Sequence, residues 1–188
     1  MWEAELDGST IHLAVEGACG GTTVGIQLAR QAILAGGRVL WASPDLPDGT
    51  RFSQLFADLD LSVSSRFHGL NLGGNLDRAL ESLLNASKML PGVSLVVLDD
   101  FCPDHGRIPK DVSKAVNKFT SSTEWTTLMI SKGGEAMDGS PLIARGAAAL
   151  NHDEVWLLTR PVANSTRVLF KGDDEVSLRL EEQGFVLA

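Results

Sequence analysis

The stretch Ile11-His12-Leu13-Ala14-Val15-Glu16-Gly17-Ala18-Cys19-Gly20-Gly21-Thr22-Thr23 decides how the rest of the chain is read. Ile11 to Val15 is a short, mainly apolar run of strand length. Glu16 to Thr23 is glycine-rich. Thr23 to Ala35 then places apolar residues on most faces of a helical pattern, which Gly36-Gly37 stops. Strand, glycine loop and helix in that order bring backbone N–H groups to a helix N-terminus, where they can approach a phosphate.

Outward from this unit the pattern repeats. Arg38 to Ala42 reads as a second strand. Leu76, Ala79, Leu80, Leu83 and Leu84 recur at helical spacing, with Asn75 as N-cap and Pro91-Gly92 as the break. Ser94 to Leu98 is a continuous apolar run ending in Asp99-Asp100, as expected of a strand covered on both faces. Pro109 opens a further helix with the stripe Val112, Ala115, Val116 and Phe119, and Thr126 to Ile130 is another buried strand. The tail gives four short strands: Val155 to Thr159, Arg167 to Phe170, Val176 to Leu180 and Phe185 to Leu187. The fold class is therefore α/β: a mainly parallel central sheet flanked by helices, with a C-terminal antiparallel β extension. Three loops that follow strands, Pro44 to Thr50, Cys102 to Ile108 and Gly133 to Pro141, are expected to shape a crevice.

The 188 residues fit one domain, 1–188. Sixteen Lys and Arg against twenty-four Asp and Glu give a net charge of −8, which disfavours strong DNA binding. No apolar run approaches the ~20 residues needed to cross a bilayer, and the acidic start Met1-Trp2-Glu3-Ala4-Glu5 lacks a signal-peptide layout. The expected setting is cytoplasmic, with Cys19 and Cys102 as thiols. His12, His68, His105 and His152 are scattered without ligand spacing and predict no metal site. Trp41 and Trp156 are assigned to the core, and Trp2 and Trp125 to the surface or an interface.

The glycine loop holds what a phosphate cradle needs, except the lysine of G-x-x-x-x-G-K-[ST]; no Lys precedes Lys88. Glu16 adds a negative charge beside the loop. Two readings stay open on these residues: a nucleotide site rewired or in decay, and a strand-to-helix turn that binds nothing. Asp99 ends its strand where a Walker B carboxylate would hold Mg²⁺, and Asp100 is placed to orient a nucleophile. Asp45 follows the second strand as a candidate general base.

In order and spacing the chain resembles the core ATPase domain of the RecA/RadA superfamily, especially short archaeal RadA paralogues of the RadB type. Gly20-Gly21-Thr22-Thr23-Val24-Gly25-Ile26-Gln27 is similar to the family's Gly-Lys-Thr-Thr-Leu-Ala-Leu-Gln, with Gly21 at the Lys position. Asp45 stands at the catalytic Glu position, Arg51-Phe52 resembles the pair that follows, and Leu95 to Asp99 resembles Walker B. Ile130-Ser131-Lys132 resembles the sensor, with Lys132 in place of Gln. Ala144 to Leu150 and the strands to Phe185 resemble the C-terminal helix and β-meander.

The resemblance implies ATP and Mg²⁺ as cofactors. Gly20, Gly21, Thr22, Thr23 and Lys132 would contact nucleotide, Asp99 and Thr22 would hold the metal, and Asp45 and Asp99 would be catalytic. The altered Lys, Glu and Gln positions imply weak or lost hydrolysis. The implied role is an accessory factor in DNA recombination and repair, working as a homo-oligomer or with a recombinase partner. Gly133 to Pro141 is short and acidic, so contact with single-stranded DNA is expected to be weak. The first strand lies close to the start of the chain, so the N-terminal DNA-binding domain of full recombinases is expected to be absent. Two rivals are a catalytically inactive RecA-fold scaffold, like the ring-forming Elongator subunits, and an active ATPase of the KaiC or DnaB kind with an atypical loop.

Overall fold

The computed structural model describes all residues except 73, 136–138 and 141. Nine strands form one sheet: β1 (Thr10–Val15), β2 (Arg38–Ser43), β3 (Phe67–Asn71), β4 (Val93–Asp99), β5 (Thr126–Lys132), β6 (Glu154–Thr159), β7 (Thr166–Lys171), β8 (Asp174–Glu181) and β9 (Gly184–Leu187). Their order across the sheet is β3-β2-β4-β5-β1-β6-β7-β8-β9. Pairings among β1 to β6 are parallel; those from β6 to β9 are antiparallel. The mainly parallel sheet with an antiparallel extension is the one the sequence predicts.

The helices are α1 (Gly21–Leu34), α2 (Gly49–Phe56), α3 (Leu61–Ser64), α4 (Leu76–Met89) and α5 (Lys110–Thr120). Alternation along the strands builds a core on each face. Val39, Trp41, Leu95 and Val97 pack with α1 on one face; Leu40, Ala42, Val96 and Leu98 pack with α4 and α5 on the other. Asn75 caps α4, accepting from the Arg78 N–H at 3.1 Å. Both cysteines are free and buried.

Three expectations change. Trp2 is buried, with its N–H donating to the Phe185 carbonyl and its ring edge-on to Trp156. Ala144 to Leu150 is not a full helix: only Ala147–Ala149 forms a 3-10 turn. Pro44 to Thr50 is not all loop, since α2 begins at Gly49. Its N-cap is Asp48, whose carboxylate accepts from the Arg51 N–H at 2.8 Å.

Two glutamines one turn apart tie the chain ends to α1. Gln31 exchanges hydrogen bonds with the backbone of Ala4. Gln27 accepts from the Phe185 N–H at 2.7 Å and donates to the Phe185 carbonyl at 3.0 Å and to the Trp2 carbonyl. Phe185 then lies against the glycine loop, 3.1 Å from where a Cβ on Gly20 would stand.

Candidate functional site

The C-terminal ends of β1, β4 and β5 converge where the chain turns from β1 into α1. Strand register sets the layout: Asp99 lies opposite Ile130, and Val15 opposite Lys132. The parallel strands deliver Asp99 and Lys132 to one edge, over which the glycine loop folds. The result is a cleft of about 410 Å³ lined by Val15 to Thr22, Asp99, Asp100, Asp104 and Ile130 to Lys132.

The loop is built on left-handed backbone. Gly20, at the N-cap of α1, has φ 101°, and Ala18 has φ 56°. For alanine that conformation is held by its surroundings. The Cys19 N–H donates to the Glu16 carbonyl at 3.2 Å, and the Cys19 carbonyl accepts from Arg167 Nε at 3.0 Å. No side chain caps α1. Its first N–H groups are therefore left to the cleft, where an anion would complete them.

Opposite the loop sits the carboxylate pair. Thr22 Oγ1 donates to Asp99 Oδ2 at 2.9 Å. Asp99 is 4% exposed, and its Oδ1 has no hydrogen-bond partner. Burial, and then the charge of Asp100, push the Asp99 carboxyl up to about 7. Asp100 has φ 50°, strained for a residue with a Cβ. Partial burial and Asp104 push its carboxyl up, while Lys132 pulls it down.

These residues fit Mg²⁺: a hydroxyl and an unpartnered buried carboxylate oxygen beside the glycine loop are hard ligands. Among the described residues no group of three or more His, Cys, Asp or Glu is arranged to hold a metal by itself. The cation would thus be shared with a ligand.

Lys132 is the ammonium of the cleft, ion-paired to Asp104 at 3.3 Å. A Cβ on Gly17 would lie 3.9 Å from its Cε, so the side chain lies over the loop. Arg145 fastens this corner: Nε donates to the Lys132 carbonyl at 2.8 Å, and the two terminal nitrogens donate to the carbonyls of Gly106 and Pro103 at 3.0 and 2.6 Å. A second hollow of about 570 Å³ adjoins the first and shares Glu16, Gly17, Asp104 and Lys132 with it. Residues 136–138 and 141 of the Gly133 to Pro141 loop lie outside the described residues.

Of the residues singled out from sequence, Gly20, Gly21, Thr22, Asp99, Asp100 and Lys132 come together in this cleft. Thr23 and Asp45 are not among the residues lining it. Thr23 is buried, and its hydroxyl accepts from Arg51 Nε at 3.2 Å. Asp45 is exposed in the loop after β2, with its backbone carbonyl bound by the Ser43 hydroxyl at 2.5 Å. Glu16 is engaged by the Arg160 N–H at 2.6 Å. A lysine at Gly21 would force its neighbours to shift: a Cβ there would stand 2.6 Å from Val15 Cγ2 and 3.1 Å from Ile130 Cγ2. Sequence reasoning missed Arg167 behind the loop, because nothing in a lone strand arginine points to a loop almost 150 residues earlier.

No protein-family model matches the chain, and no curated protein matches it in sequence. Solved structures do match. A RadB recombinase superposes with TM-score 0.73 at 15% identity, over 96% of this chain and 90% of that one. The ATPase domain of another protein gives TM-score 0.72 at 13% identity, over 98% and 86%. A DnaB-like replicative helicase, solved with regard to its interactions with primase, gives 0.72 at 12%, over 96% of this chain and 57% of that chain. Such identities speak to architecture, and the architecture agrees with the one the sequence predicts: the chain has a RecA-like fold, as in RadB and DnaB-like ATPase domains.

Proposed function

We propose that this chain binds magnesium-complexed ATP in the glycine-loop cleft, weakly, and hydrolyses it slowly if at all. The observation that carries this reading is the Thr22–Asp99 pair, with one buried carboxylate oxygen unpartnered beside an uncapped helix N-terminus. Phosphates would lie against the N–H groups of Gly20, Gly21 and Thr22. Lys132 would leave Asp104 to supply the positive charge that no loop lysine supplies. Magnesium would offset an unfavourable lining of Glu16, Asp99, Asp100 and Asp104 against that single ammonium, counted among the described residues. Asp45, exposed and away from the cleft lining, is a weak base candidate that only a movement of its loop or a second copy would bring to the phosphates.

In this proposal the protein is a cytoplasmic accessory factor in DNA recombination, acting by assembly with itself or with a recombinase. Likeness to a RadB recombinase structure supports that process, and net charge −8 argues against a large share of direct DNA contact. The tight packing at Gly21 favours a second reading, a RecA-fold scaffold that has given up nucleotide.

Thermal denaturation with ATP separates the two. Ligand bound only by the native state raises the melting temperature. The nucleotide reading predicts a rise with ATP and magnesium that disappears with ATP and a chelator. No rise in either case, up to millimolar ATP, favours the scaffold.

A further inference from the structure

Arg167, on β7, is 4% exposed and takes part in none of the ion pairs among the described residues. Its guanidinium is spent on backbone carbonyls: Nε donates to Cys19 at 3.0 Å, and one terminal nitrogen donates to Asn164 and Thr166 at 2.7 and 2.8 Å. A buried charge is expensive to desolvate, and among the described residues the hydrogen bonds that offset this one all go to neutral carbonyls; a methionine would avoid the charge but leave those carbonyls without their donor.

The position of the charge explains its use. A peptide unit is planar and trans, so the Cys19 C=O and the Gly20 N–H point in opposite directions. Holding the Cys19 carbonyl on Arg167 turns the Gly20 N–H away from Arg167, and Gly20 is one of the residues lining the cleft. A cation on the carbonyl also polarises that peptide and makes its N–H a stronger donor. The same contact steadies the loop next to Ala18, whose φ is 56°. The field of Arg167 is felt at the loop: burial and Glu16 push the Cys19 thiol up, to about 11, and Arg167 and Arg160 pull against them.

We propose that Arg167 is a positioning residue for phosphate groups in the cleft, supplying from behind the loop the orientation and positive charge that a loop lysine would supply from in front. This rests on the nucleotide reading above.

The test compares wild type with Arg167→Lys and Arg167→Met, each titrated with inorganic pyrophosphate and with magnesium–ATP. The expected result is affinity at least tenfold weaker in R167M, with most of it regained in R167K. Equal affinity in wild type and folded R167M overturns the proposal, as does equal loss in both variants, which marks a purely structural contact. Should the variants not fold, the wild-type Arg167 Nε–H resonance decides. It is expected to shift with pyrophosphate in step with the Gly20 amide, and its indifference overturns the proposal. Absence of any binding by wild type is a separate outcome that removes the nucleotide reading and this one with it.

Discussion

Thr22 at the start of α1 and Asp99 at the end of β4 lie 77 residues apart in sequence and are joined by a 2.9 Å hydrogen bond. This contact joins the glycine loop to the one acid of the cleft that is almost wholly buried. It engages one oxygen of that carboxylate, and the other is buried without a hydrogen-bond partner.

An acid raised to about 7 in the native state, from 3.8, destabilises that state once the unfolded chain ionises first. The Asp99 penalty is absent below pH 3.8, grows as pH rises through the interval, and is complete above 7. Each pH unit of the gap is worth about 1.4 kcal/mol. Asp99→Asn is expected to stabilise the ligand-free protein by roughly 2–4 kcal/mol at pH 8 and hardly at all at pH 4. The same variant is expected to lose the magnesium dependence of nucleotide binding. Urea denaturation at the two pH values checks the first part.

His12 has the opposite sign. It is buried in β1, donating to or accepting from Ser131 Oγ at 2.9 Å, with Nδ1 unpartnered. Burial first, then the charges of His152 and Arg145, lower its pKa from 6.5 to about 4. The native state resists protonation, so its contribution is whole above pH 6.5 and is lost as pH falls toward 4. An NMR titration is expected to place the His12 midpoint near 4. A midpoint near 6.5 would show an imidazole open to solvent.

Placing a lysine at Gly21 is expected not to create a tighter site. A Cβ at Gly21 would press on Val15 Cγ2 at 2.6 Å, and β-branched valine has little freedom to turn aside. Gly21→Lys should destabilise the fold by about 1–3 kcal/mol without tightening ATP binding. Adding Val15→Ala should recover part of the stability, measured as melting temperature.

Lys132 and Asp104 are partly exposed, and their pairing at 3.3 Å should matter little to stability. It should matter to binding. Asp104→Asn frees the ammonium and removes a carboxylate from the cleft, so magnesium–ATP should bind several-fold more tightly. Lys132→Ala should bind it about tenfold more weakly, near 1.4 kcal/mol. Melting temperatures of both should stay close to wild type.

The parallel sheet was legible because its strands are unbroken apolar runs, of which Leu95 to Leu98 is the clearest. β3 was not: it is an edge strand with Gly69 at its middle, partly exposed, and it shows no alternation for a reader to follow. Gly20, Thr22 and Asp99 announced themselves by position at strand and helix ends. Lys132 was visible only by comparison with a family pattern. The expected contacts of Thr23 depend on which way one side chain turns at the first turn of α1, and Arg51, from another helix, takes it. Arg167 and Gln27 work through backbone carbonyls far away in sequence, and no spacing rule encodes that.

The most direct test of the cleft as a rewired phosphate site is calorimetric titration of the protein with magnesium–ATP, alongside Thr22→Ala and Lys132→Ala. Wild type is expected to bind measurably and each variant more weakly, with all three folded. Absence of binding by wild type at millimolar ATP, or variants that bind as well as wild type, would contradict it.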